Sequence, residues 1–143
     1  MKDHCCLKSL EIRHIAIKTK AAVISITETW LDQTVTDAEI HIQNFSVIRK
    51  DRLRHGGGVC GYIRDGHAFN PKSDLNSDDA EFLFIELLLP RNKLIYIGTI
   101  YRPPKLTDFL QKFETVLKEL KSDCEPYILG DFNICFTNIS FTF

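Results

Sequence analysis

Apolar residues along the chain fall into short runs, some at helical spacing and most at the density of buried strands. Leu7, Leu10, His14 and Ile17 recur at helical intervals and predict a helix from Leu7 to about Lys20. The β-branched run Ala21 to Thr27 predicts a buried strand ending at Glu28. Asp32 to Gln43 is polar and is expected as loop. Short strands are expected at Phe45–Lys50 and Gly58–Arg64, with the charged segment DRLRHGG between them. Asp65 to Asp79 is rich in turn-forming residues and reads as a surface loop. Asp78, Asp79 and Glu81 read as a solvated acidic turn.

Two longer strands, Phe82–Leu89 and Leu94–Tyr101, are expected as a hairpin closed by Pro90-Arg-Asn-Lys93, and Pro103-Pro104 stops the second. Leu106, Phe109, Leu110, Phe113, Val116, Leu117 and Leu120 then form one apolar stripe of a helix. Thr107 is its expected N-cap, and Asp108 lies where the helix dipole favours a negative charge. Tyr127–Gly130 is a strand again, and the closing ICFTNISFTF alternates like an edge strand that needs a cover. A strand–helix–strand unit from Leu94 to Asp131 implies a right-handed crossover between parallel neighbours. Glu28, Tyr101 and Asp131 therefore all stand at the carboxyl ends of apolar strands, where sites on sheet proteins collect.

Composition narrows the class without naming a partner. The 143 residues suffice for one domain with a real core, and 44% hydrophobic with 26% charged residues is ordinary for a soluble protein. A net charge of −1 leaves any attraction to nucleic acid to a local basic patch. The five cysteines include no C-x-x-C pair, so neither a disulfide framework nor a zinc site is expected. The N-terminus lacks the apolar stretch of a secretory signal, and the run Phe82–Leu89 is far short of a membrane span. The expectation is an intracellular protein, nuclear or cytoplasmic, without a membrane partner.

Four places carry chemistry. Glu28 puts a carboxylate at a strand mouth, which is costly to bury unless a cation or a donor meets it. Mg²⁺ prefers such oxygen ligands, with Mn²⁺ as its substitute. In Gly130-Asp-Phe-Asn133 an extended chain turns Asp131 and Asn133 to one side and Phe132 to the other. That sets a proton acceptor beside an amide able to hold a phosphate oxygen, and Gly130 permits a tight exit from the strand. The Tyr101 phenol could donate to a phosphate, and Arg102 could add charge. The basic segment Arg49 to His55, with Arg52 and Arg54, matches the backbone phosphates of DNA. Each feature also has an ordinary use: a solvated strand-end Glu, a turn, a Tyr at the core rim, a solvated loop. The five histidines are scattered, and no P-loop, dinucleotide fingerprint or nucleophile elbow is present.

The order of the motifs is more specific than any one of them. ITETWLD, KDRLRHGGGV, IYRPP and ILGDFN, taken in sequence, resemble the endonuclease domain of LINE-type (non-LTR) retrotransposons, which shares a superfamily with apurinic endonucleases and DNase I. The likeness runs from about Glu11 to Asn133. It implies a DNase I-like four-layer α/β/β/α sandwich and Mg²⁺-dependent hydrolysis of a DNA phosphodiester. By resemblance, Glu28 binds the metal, Tyr101 lies near the scissile phosphate, Asp131 orients and deprotonates water, and Asn133 is its phosphate-side partner. Relatives also carry a first-strand Asn and a late Asp-His pair that these 143 residues do not include. The expectation is a single domain over residues 1–143, truncated at both ends and impaired in catalysis. Removing one charge-stabilising donor alone costs about a hundred- to a thousand-fold in rate. A catalytically dead remnant, kept as a nucleic-acid or protein binding module, is the alternative. A sister phosphodiesterase acting on a lipid or inositol phosphate is a third reading, because fold alone does not select the substrate.

Overall fold

The apolar runs sort into two sheets of a mixed α and β protein. The structure, a computed structural model, describes residues 3–52, 56–75, 80–104 and 106–134. Helix α1 (Asp3–Lys18) leads into β1 (Val23–Thr27), and a single helical turn, α2 (Asp37–Ile40), precedes β2 (Phe45–Lys50) and β3 (Val59–Arg64). Then come β4 (Phe69–Pro71), β5 (Glu81–Leu89), β6 (Lys93–Tyr101), helix α3 (Phe109–Glu119) and β7 (Glu125–Asp131). The first sheet has the order β1-β3-β2 and is antiparallel. The second has the order β4-β5-β6-β7, antiparallel except for the parallel pair β6–β7. That pair brackets α3, as expected, because parallel neighbours need a crossover long enough to hold a helix.

Side chains alternate across each strand, and this alternation divides the core. Between the sheets, Ile63 of β3 packs with Ile85 and Leu87 of β5 and with Ile95 and Ile97 of β6. Across the same gap Thr99 Oγ1 donates to Ser25 Oγ at 2.8 Å. The opposite face of the first sheet, through Cys60 and Tyr62, receives Ile12 and Ala16 of α1. The opposite face of the second, through Phe82, Phe84 and Ile100, receives Phe109, Phe113 and Val116 of α3.

Several expectations need correction. Helix α1 forms, but Leu10, His14 and Ile17 are exposed, Ile17 at 82%; among its described side chains Ile12 and Ala16 are packed, and that of Leu7 lies outside the described set. Both sets satisfy helical spacing, and only the sheet beneath decides between them. The α3 stripe is narrower than expected: Leu110 is 62% exposed and Leu117 also faces outward. The N-cap of α3 is Asp108, not Thr107; it makes no capping hydrogen bond, and its carboxylate pairs with Lys112 at 2.7 Å. Within the expected loops lie α2, capped by Thr36 and Glu39 in a capping box, and the three-residue β4. Glu81 is not in a solvated turn. It opens β5 and is only 8% exposed. Asp78, Asp79, Arg54 and the strand expected beyond Ile134 lie outside the described residues. Among the described residues no helix is long and apolar enough to cross a membrane, and Cys60 and Cys124 are buried free thiols.

Candidate active site

Strand β1 ends in an unusual turn. Glu28 and Trp30 both take left-handed backbone conformations (φ 53° and 55°), which side chains other than glycine rarely adopt. The glycine loop holds the turn in place: Thr29 N–H donates to the Gly58 carbonyl at 3.3 Å and Trp30 N–H to that of Gly57 at 2.9 Å. Glu28 is thereby turned towards the second sheet, where the Tyr101 hydroxyl donates to its Oε1. That hydrogen bond, with burial and the Glu28 charge, pushes the Tyr101 phenol up to about 12. At neutral pH the phenol is therefore a fixed donor that aims the carboxylate.

Tyr101 also connects Glu28 to the late strand. In the parallel pair Tyr101 stands opposite Asp131, and Arg102 N–H donates to the Asp131 carbonyl at 2.8 Å. The Asp131 charge is close enough to contribute to the raised Tyr101 pKa. Gly130 is needed here: its φ is 149°, and a Cβ would collide with the Ile100 carbonyl. Phe132 turns inward against Phe109 and Phe113, with ring centroids 6.3 and 6.2 Å away, as the alternation required. Asn133 reaches the neighbourhood of Asp131 differently from the extended chain expected. Its φ of 44° bends the backbone so that its own N–H donates to Asp131 Oδ1 at 3.0 Å. Its side-chain amide donates to the Arg102 carbonyl at 2.9 Å, and one further N–H remains on that nitrogen.

The arginines behave less like a phosphate-binding patch than the sequence suggested. Arg102 clamps the turn after β7, donating to the carbonyls of Asn133 at 2.8 Å and of Phe132 and Leu106 at 3.3 Å, with its guanidinium 5.7 Å from the Phe109 ring centroid. Arg49 pairs with Asp37 and Asp51, Lys50 donates to the Ala80 carbonyl, and Arg52 pairs with Glu81 Oε1 at 3.2 Å. The described part of the basic segment thus ties neighbouring elements together.

Glu81 is the residue that sequence reasoning missed. It sits opposite Tyr101 in the β5–β6 register, so Glu81, Tyr101 and Asp131 occupy one rung across three strands. Its Oε2 accepts the Gly58 N–H at 2.6 Å, and a Cβ at Gly57 would lie 2.7 Å from both carboxylate oxygens. Burial pushes the Glu81 carboxyl up, against the lowering effects of the Gly58 N–H, Arg52 and Lys50. The available signal was its place directly before an apolar strand that runs antiparallel to the one ending at Tyr101.

Glu28 thus accepts from the Tyr101 phenol, Asp131 stands beside Tyr101 on the neighbouring strand, and both offer hard carboxylate oxygens. A pair of carboxylates completed by water suits Mg²⁺, which retains several waters when bound to protein. Among the described residues no group of three or more His, Cys, Asp or Glu could hold a metal by itself. Compared with known proteins, the chain matches no family model and no curated protein.

Proposed function

We propose that the chain is a Mg²⁺-dependent phosphodiester hydrolase domain acting on DNA, of the kind found in LINE-type retrotransposon endonucleases. The observation that carries this reading is that the Tyr101 hydroxyl donates to Glu28 of the opposite sheet while Asp131 stands beside Tyr101 on the neighbouring strand. Glu28 would hold the metal, which supplies positive charge beside a phosphate oxygen when bound. Tyr101 fixes the Glu28 carboxylate through its hydroxyl. Asp131 accepts the proton of an attacking water, and Asn133 presents amide N–H to a phosphate oxygen. Two sheets with α1 packed outside one and α3 outside the other support the four-layer α/β/β/α sandwich that goes with this activity.

One observation favours the second reading, a binding module without turnover. The Asn133 amide already donates to the Arg102 carbonyl, and Arg102 itself is clamped to backbone carbonyls. Supercoiled plasmid incubated with the full chain and Mg²⁺ separates the two. Hydrolysis predicts conversion to nicked circles, stopped by chelator and by Glu28→Ala. Salt-dependent retention of uncut plasmid by a folded sample supports the binding module and defeats the hydrolase.

A further inference from the structure

The glycine loop does more than hold the Glu28 turn. It also mounts Trp30, the one tryptophan in the chain, with 65% of its surface exposed. The next residue, Leu31, is buried in the normal way, so of these two adjacent apolar side chains Trp30 is the one left in water. The mounting is firm. Trp30 N–H is bonded to the Gly57 carbonyl, Gly58 N–H is bonded to buried Glu81, and Glu81 is paired with Arg52. The indole lies along Gly56, where an added Cβ would rest 3.5 Å from its Cη2 and Cζ2 atoms. One part of the ring therefore rests on the loop while most of it meets water, two residues from Glu28.

A large aromatic surface held open beside a phosphodiester site matches one ligand surface in particular. In a nucleic acid every phosphate is flanked by bases, each with a flat face that stacks on an aromatic side chain. Among the described residues of the basic segment, Arg49, Lys50 and Arg52 are less suited to capture the strand, because they already meet protein groups. We infer that Trp30 is a stacking platform for a nucleobase next to the phosphate that the metal at Glu28 would meet. The substrate class is then a nucleic-acid strand with a base free to leave its own stack. This inference rests on the phosphodiesterase reading above and adds the substrate feature that the site selects.

With a single tryptophan, intrinsic fluorescence reports on the platform directly. The full chain, with Ca²⁺ replacing Mg²⁺ to prevent cleavage while keeping a cation at the carboxylates, is titrated with a single-stranded thymidine 12-mer and with a 12-mer of the same sugar-phosphate backbone lacking bases. The thymidine strand should quench Trp30 saturably and bind about 5- to 150-fold more tightly than the baseless strand, the range expected for one stacked base. Neither variant at this position keeps a tryptophan, so their affinities are read from the anisotropy of fluorescein-labelled strands: Trp30→Ala should remove that difference, and Trp30→Phe should retain part of it. Equal affinity for the two strands, or no quenching by the thymidine strand, overturns the platform. The plasmid assay reads the hydrolytic site separately. Nicking with Trp30 unquenched removes the platform alone, and quenching without nicking removes the hydrolytic reading alone.

Discussion

At the level of single residues the site turns on a phenol that keeps its proton. The Tyr101 phenol is pushed up to about 12, chiefly by its hydrogen bond to Glu28. A group whose folded pKa is raised stabilises the fold fully below its ordinary value, near 10 for tyrosine, and loses that contribution as pH climbs through the folded value. The stability gap between the parent and Tyr101→Phe, measured by urea unfolding, should therefore be constant around neutrality, narrow above about pH 10 and have closed by about pH 12. The same substitution should lower plasmid nicking about 10- to 100-fold, the usual cost of losing a group that orients a metal ligand. Equal nicking by the two proteins would remove Tyr101 from the site. The Asp131 half of this arrangement was legible, because Gly130 and the inward Phe132 follow from strand alternation and a tight exit. The Asn133 bend was not, since a left-handed residue within an otherwise extended pattern leaves no periodic trace. Nor was Glu81, whose burial depends on a strand partner and a glycine loop distant in sequence.

Elements were easier to read than their faces. The strands at 45–50 and at 82–101 and the helix after Pro104 follow from apolar runs bounded by turn residues. Helix α1 shows the limit: two spacings of apolar residues fit one helix equally well, and contact with β3 selects Ile12 and Ala16. The short β4 was hidden because three residues containing a proline have almost no propensity signal, and proline suits an edge strand. Helix α3 makes the distinction between stripe and core measurable. Phe109 is fully buried, with its ring centroid 5.4 Å from that of Phe82 and 5.7 Å from that of Phe113. Phe109→Ala should cost about 3–5 kcal/mol in chemical denaturation. Leu110→Ala, one position along and largely in water, should stay within about 0.5 kcal/mol. Equal costs would mean that α3 packs through a different face. Because Phe132 also rests on Phe109, the first substitution should loosen the turn that carries Asp131 as well.

For the molecule as a whole, the two sheets face each other so that the carboxyl ends of β1, β6 and β7 deliver Glu28, Tyr101 and Asp131 to one place. The sequence located these residues at strand ends, and the resemblance supplied their grouping. What the chain alone left open was which sheet each strand joins, because β1 and β6 lie in different sheets and meet through packing, the Thr99–Ser25 hydrogen bond and, at their carboxyl ends, the Tyr101–Glu28 hydrogen bond. A shared site has a kinetic signature, since groups that act as a unit lose rate together rather than independently. The most direct measurement is a double-mutant cycle on the rate of Mg²⁺-dependent plasmid nicking, using Glu28→Ala, Asp131→Ala and the two combined. If both carboxylates serve one phosphate, the double variant is about as slow as the slower single variant. If the double variant instead shows the full product of the two separate losses, Glu28 and Asp131 act apart and there is no common site.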